Sequence, residues 1–248
     1  MSKVILITGA SRGIGAATAL LAATRGYRVA VNYRADRAAA HAVVEQIERA
    51  GGRAIAVQGD VSVEADVLRV FDTTVRDLGS LDALVNNAGI LETQMRVEEM
   101  SVERLQRVFA TNVIGSMLCA REAVKRMSTK HGGKGGAIVN VSSMAARLGS
   151  PNEYVDYAAS KGAIDTLTIG LAKEVAAEGI RVNAVRPGLI YTDMHASGGE
   201  PGRVDRLKAS VPMQRGGTAD EVAKSIMWLL SDEASFVTGT LVDVSGGR

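Results

Sequence analysis

The 248 residues include 29 Lys and Arg against 27 Asp and Glu, a formal net charge of +2, and 46% are apolar, proportions that exclude a disordered chain. A lone cysteine, Cys119, excludes an internal disulfide, and the lack of any run of about 18 uncharged apolar residues excludes a membrane-spanning helix. Basic residues are interleaved with acidic ones and aromatics are only 4%, so neither a nucleic-acid nor a membrane partner is expected.

The chain passes from Met1-Ser2-Lys3 straight into Val4–Ile7, without the longer apolar region of a secretory signal, and a cytoplasmic setting is the expectation. Strand-like runs follow at Val4–Thr8, Arg28–Tyr33, Arg53–Gln58, Leu81–Asn86, Ala137–Ser142, Arg181–Arg186 and Thr240–Val244. Several are nearly continuous in Val, Ile, Leu and Ala, the pattern of strands covered on both faces. Helical patterns lie between them, near Gly15–Arg25, Arg37–Ala50, Val63–Leu78, Ser101–Met127, Tyr154–Glu178 and Asp220–Leu230. Thr218 and Glu221 form a capping-box pattern before the last of these. The alternation predicts an α/β fold over residues 1–248, one doubly wound parallel sheet with helices on both faces. The stretch from about Thr192 to Arg215 breaks the rhythm, and a long irregular segment of this kind is expected to be functional, here a substrate lid.

The first strand runs into Thr8-Gly9-Ala10-Ser11-Arg12-Gly13-Ile14-Gly15 and then a helix. Gly9 suits a tight turn, Gly13 lets backbone approach a pyrophosphate, and Gly15 permits close helix–strand packing. A helix N-terminus at that point offers unpaired amides to phosphate. The second strand ends Asn32-Tyr33-Arg34 with no acid at its tip, and Asp36 comes late. An acid there would grip a ribose 2′-hydroxyl, whereas arginine accommodates a 2′-phosphate. Arg12 and Arg34 therefore favour NADP(H), with NAD(H) as the alternative. Tyr157 and Lys161 lie four apart in a helical pattern and share a face. An ammonium about 4 Å from a phenol contributes on the order of 4 kcal/mol at an effective dielectric of 20, so Lys161 is expected to lower the Tyr157 pKa. Tyr154 is a poorer candidate, being seven residues before Lys161, about 10 Å along a helix axis. Ser143 stands at the exit of the fifth strand, where a hydroxyl can hold a carbonyl oxygen; Ser142 is the alternative.

With Asp60-Val61, Asn86-Asn87-Ala88-Gly89, Asn112 and Pro187-Gly188-Leu189-Ile190-Tyr191-Thr192, these motifs occur in order along the whole chain, which resembles a short-chain dehydrogenase/reductase. The resemblance reaches bacterial 3-oxoacyl-carrier-protein reductases and glucose 1-dehydrogenase-like members equally. It implies a Rossmann-type sheet of strand order 3-2-1-4-5-6-7, a homotetramer (a homodimer is the alternative) and a small carbonyl or secondary-alcohol substrate. It assigns catalysis to Asn112, Ser143, Tyr157 and Lys161, with Tyr157 passing a proton, Ser143 holding the carbonyl oxygen and Asn112 relaying protons through water. It assigns the cofactor to Gly9, Ser11, Arg12, Gly13, Ile14, Gly15, Arg34, Asp60, Val61, Asn87, Ala88, Gly89, Tyr157, Lys161, Pro187, Gly188, Ile190 and Thr192. Asp60 and Val61 would lie against the adenine, and the Ile190 main chain would meet the nicotinamide carboxamide.

Ser143 and Tyr157 are fourteen apart, one more than the family's usual thirteen, which places an extra residue in the Leu148–Asp156 connection. The apolar stripes Val108–Ile114–Leu118 and Ile164–Leu167–Leu171 read as core or, in part, as subunit contact. His41, His131, His195 and Cys119 form no recognisable ligand pair, so no metal is expected, and His195 reads as a solvent-facing loop residue. The rival from another class is a non-catalytic NADP-binding sensor of the same fold; an isomerising or dehydrating enzyme with tightly held nicotinamide is a third reading.

Overall fold

The computed structural model describes residues 2–248, and among them the strands are β1 (Val4–Ile7), β2 (Arg28–Tyr33), β3 (Arg53–Gln58), β4 (Ala83–Asn86), β5 (Gly136–Val141), β6 (Ile180–Pro187) and β7 (Leu241–Val244). All pair in parallel, in the order β3-β2-β1-β4-β5-β6-β7. The helices are α1 (Gly13–Thr24), α2 (Arg37–Arg49), α3 (Glu64–Leu78), α4 (Val102–Phe109), α5 (Gly115–Met127), α6 (Ala145–Leu148), α7 (Val155–Val175), α8 (Met194–Ser197), α9 (Arg203–Leu207) and α10 (Ala219–Leu230). The predicted sheet is this one, with strand ends shifted by at most two residues.

Successive strand side chains point to opposite faces, and this decides how the sheet is covered. Ile5 and Ile7 of β1 pack with Ala19 and Ala22 of α1, Val43 and Ile47 of α2, and Val222 and Ile226 of α10. Val4 and Leu6 enter the other layer, with Val70 and Phe71 of α3, Ala123 and Met127 of α5, and Ala172 and Val175 of α7. Full burial of a side chain such as Leu or Phe is worth roughly 1.5–3 kcal/mol, so the two layers dominate the stability of the fold. The Thr218–Glu221 capping box is present: the Glu221 amide donates to Thr218 Oγ1 at 3.3 Å and the Thr218 amide to Glu221 Oε2 at 2.9 Å. No helix among the described residues is long and apolar enough to cross a membrane.

The long helix expected over Ser101–Met127 is divided. A π-helical turn, Ala110–Ile114, separates α4 from α5 and carries Asn112. One predicted stripe also divides: Val108 is fully buried, whereas Ile114 is 51% exposed beside exposed Phe109 and Met117. The strand order reverses between β1 and β4, which opens a cleft at the carboxyl ends of the strands. The site lies there.

Candidate active site

The turn after β1 is pressed against the end of β4. Gly9 has φ +60°, and a Cβ there would lie 2.9 Å from Ala88 Cα; a Cβ on Gly15 would meet Asn87 Nδ2 at 2.5 Å. Asn87 Nδ2 donates to the Thr8 and Gly9 carbonyls at 2.8 and 2.9 Å, and Thr8 Oγ1 accepts from the Asn87 and Ala88 amides. From the other side, buried Asn32 accepts from the Gly9 amide through Oδ1 and donates to the Val57 and Gly59 carbonyls through Nδ2. Thr8 and Asn32 were not singled out by the motifs; a polar residue inside an otherwise apolar strand was the available signal.

α1 starts at exposed Arg12 with no side-chain cap and no acid in its first turn, so nothing of its own competes with an anion for its first amides. Thr192 crosses the turn, its Cγ2 3.5 Å from the place a Gly13 Cβ would occupy. Arg34, exposed at the end of β2, reaches Asp60 Oδ2 at 4.0 Å, and Val61 is buried beside it. Free helix amides, glycines where side chains would obstruct and cations at the far end fit a phosphorylated dinucleotide.

β5 delivers two serines in succession, and they part. Ser142 Oγ is buried and donates to the Lys161 carbonyl at 3.1 Å, whereas Ser143 accepts from the Ala145 amide at 3.1 Å and is hydrogen-bonded to the Tyr157 phenol. The longer connection to Tyr157 is taken up by a turn in which Ser150 and Asn152 have φ of 46° and 62°. Tyr154 faces away and donates to the Gly198 carbonyl at 3.2 Å.

On α7, Lys161 Nζ donates to the Val141 carbonyl at 2.8 Å and lies 5.5 Å from the Tyr157 ring centroid. The same Nζ is 3.5 Å from where a Gly89 Cβ would be, and Asn112 Oδ1 is 3.4 Å from that point. Asn112 accepts from the Ile90 amide at 2.8 Å and donates to the Ile90 carbonyl and to Ser160 Oγ, each at 3.1 Å. Both its amide hydrogens are taken. Its side chain acts as a clamp on the chain leaving Gly89.

The expected lowering of the phenol pKa does not occur in this arrangement. Burial pushes Tyr157 up to about 12, with the Ser143 hydrogen bond pulling it part of the way back. Burial also brings Lys161 down to about 8, opposed by the Asp165 carboxylate. The ammonium is turned to the Val141 carbonyl and meets the ring rather than the hydroxyl, so loss of water outweighs charge attraction.

Residues 192–215 are folded, with α8 and α9 docked on the opposite side of the cleft. Arg203 binds Glu153 and Glu200 and lies 5.2 Å from the Tyr154 ring centroid; Arg206 and Gln94 also bind Glu200. His195 is half-buried rather than solvent-facing, its Nε2 3.1 Å from the Ile190 carbonyl. Burial, reinforced by Arg203, holds it below the usual histidine range, so Nε2 carries the proton and donates at neutral pH. The Pro187 carbonyl accepts from the Met144 amide, and the Gly188 amide donates to the Val244 carbonyl, both at 3.0 Å. Several main-chain groups expected to meet a nicotinamide are thus engaged within the fold, the Ile190 carbonyl among them. Among the described residues no group of three or more His, Cys, Asp or Glu side chains is placed to hold a metal ion.

A family profile described as "Enoyl-(Acyl carrier protein) reductase" matches residues 9–248. "Uncharacterized oxidoreductase YgfF" of Escherichia coli (strain K12) is 64% identical over 245 residues, 99% of this chain and 99% of that protein. "Glucose 1-dehydrogenase 2" of Bacillus subtilis (strain 168) is 39% identical over 246 residues, 99% of this chain and 94% of that protein. The crystal structure of 3-ketoacyl-(acyl-carrier-protein) reductase from Brucella melitensis complexed with NADH superposes with a TM-score of 0.92 at 35% identity, covering 99% of this chain and 98% of that one.

Proposed function

The chain belongs to the short-chain dehydrogenase/reductase family, and from that premise we propose that it reduces a small carbonyl compound with NADPH, Tyr157 donating the proton. The observation that carries this reading is the meeting of the Tyr157 phenol with the Ser143 hydroxyl, one helical turn from Lys161, in the cleft that the glycine turn enters.

A bound nicotinamide supplies the hydride. Two hydroxyls, Ser143 and Tyr157, converge where a carbonyl oxygen would accept hydrogen bonds, and they stabilise the negative charge that develops on it. Burial keeps the phenol protonated, which is the form that donates, so the reductive direction is favoured. Lys161, brought down to about 8, exchanges protons near neutral pH and can restore the proton Tyr157 has given. Asn112 contributes by fixing Ile90 and Ser160 around that lysine. Arg12 and Arg34 favour NADPH, since each is an exposed fork able to take a 2′-phosphate. The Brucella neighbour is titled as a complex with NADH, so both nucleotides belong in the test. We assign residues 192–215 to a substrate lid, and the exposed apolar residues Phe109, Ile114 and Met117 to contact between copies in a homotetramer.

The test is nicotinamide absorbance with a panel of aldehydes, ketones, secondary alcohols and an enoyl thioester, each with NADPH and NADH. Carbonyl-dependent oxidation of NADPH, with an alcohol as product, is expected. Tight NADPH binding with no turnover across the panel would make the protein a sensor instead.

A further inference from the structure

We propose that Arg104 and Asp156 are positioning residues, a buried ion pair that fixes the backbone of Tyr157 to the substrate-side wall at Thr93–Met95. This rests on the reading of Tyr157 as the proton-transfer group. Arg104 Nε donates to Asp156 Oδ2 at 2.7 Å and Nη2 to Oδ1 at 3.3 Å, with the side chains only 4% and 1% exposed. The remaining nitrogen, Nη1, donates to the Thr93 carbonyl at 2.7 Å and lies 3.8 Å from Met95 Sδ. Asp156 Oδ1 in turn accepts from the Tyr157 amide at 2.9 Å. One guanidinium and one carboxylate thus join α4, the first turn of α7 and the chain after β4.

That chain is the substrate-side wall by its position. It begins at Gly89, beside Lys161 Nζ, and ends where residues 192–215 dock: Leu91 lies under Gly198, Thr93 beside Gly199, and Gln94 donates to Glu200. Asn112 clamps its start at Ile90 and Arg104 clamps its end at Thr93. Both clamps come from the same stretch, α4 and the π turn that follows it. Stability alone is a poor reason for such a pair, because packed hydrophobic side chains of similar volume serve a protein interior as well or better. Its geometry does something they cannot: it sets the distance and orientation between the start of the Tyr157 helix and the wall a carbonyl substrate must lean on.

The test compares wild type with the double variant Arg104→Met/Asp156→Leu, which leaves no buried charge unpaired, and with Arg104→Lys. The double variant is expected to keep its melting temperature and its NADPH affinity. Its kcat should fall about tenfold or more and its KM for the carbonyl substrate should rise. Hydrogen exchange in the peptides covering 90–96 and 155–159 should quicken about tenfold, while the sheet stays protected. Arg104→Lys should recover part of the kcat, since a point cation reaches Asp156 but cannot also hold Thr93. A double variant with wild-type kcat, KM and exchange would overturn the proposal, since a merely structural pair predicts that result. If the wild type turns over nothing, the oxidoreductase reading fails; faster exchange at 90–96 in the double variant then still supports the positioning role, and unchanged exchange refutes it.

Discussion

The two walls that flank Tyr157 are held by opposite kinds of contact. The wall from Gly89 to Met95 hangs on buried groups, Asn112 fully enclosed and Arg104 with Asp156 nearly so. The wall formed by residues 192–215 hangs on ion pairs among Arg203, Arg206, Glu153 and Glu200, side chains 9% to 52% exposed. Beneath it lies only a small apolar cluster of Leu189, Val204 and Val211. Charges in contact with water are screened by salt within about 10 Å, whereas enclosed ones are not. Hence the first wall is a fixed reference for the chemistry and the second is the one able to move, the division expected of an enzyme that must both position a substrate and release it.

The largest effect that would sharpen this contrast comes from the fixed side. Replacing Lys161 with Met should lower kcat about a thousandfold, the loss expected for a buried, oriented donor in the reaction centre. The same variant tests the electrostatics. The Lys161 value of about 8 lies below its ordinary 10.5, so the fold carries the cost of the ammonium in full below pH 8. As pH rises past 8 the folded protein gives up that proton before the unfolded chain does, and stability increases. Wild type should gain about 2–3 kcal/mol between pH 8 and 10 in denaturant titrations, and Lys161→Met should lack that gain. Above pH 10 the raised Tyr157 value works the other way, because the unfolded chain then loses the phenol proton first.

Next in size, Ser143→Ala should reduce kcat about a hundredfold with little change in NADPH affinity, while Ser142→Ala should act on stability instead. At the nucleotide end, replacing Arg12 and Arg34 together with Ala should weaken NADPH binding about tenfold, measured by calorimetry, and leave NADH binding unchanged. The smallest effect belongs to the mobile wall. Raising salt to 1 M should speed proteolysis within residues 192–215 by about two- to threefold and raise KM to match, without touching exchange at 90–96. Equal salt sensitivity of both walls would break the comparison.

Much of this architecture was legible because it is written in periodicity. Each strand of the sheet is a short apolar run, and the glycine turn, Tyr157 and Lys161 announce themselves by spacing. What stayed hidden depends on contacts between segments far apart in the chain. The π turn at Asn112 leaves no mark, because inserting one residue into an amphipathic run keeps the neighbouring stripes looking continuous. Arg104 was readable in principle: it shares with Val108 the buried side of α4, and a charged residue on an inward face needs a partner. That the partner is Asp156 could not be read, since they are 52 residues apart. The phenol pKa was misjudged for a related reason. Spacing says that Lys161 and Tyr157 share a face, but only the fold says that the ammonium turns to Val141 and that both groups leave water.

The account stands or falls on the Tyr157 oxygen. The direct measurement is carbonyl-dependent NADPH oxidation by wild type and by Tyr157→Phe, side by side, with circular dichroism and NADPH affinity recorded on the same samples. The variant is expected to fold and bind NADPH as wild type does while losing at least about a hundredfold in kcat. Equal turnover by the two proteins would contradict the role assigned to that hydroxyl.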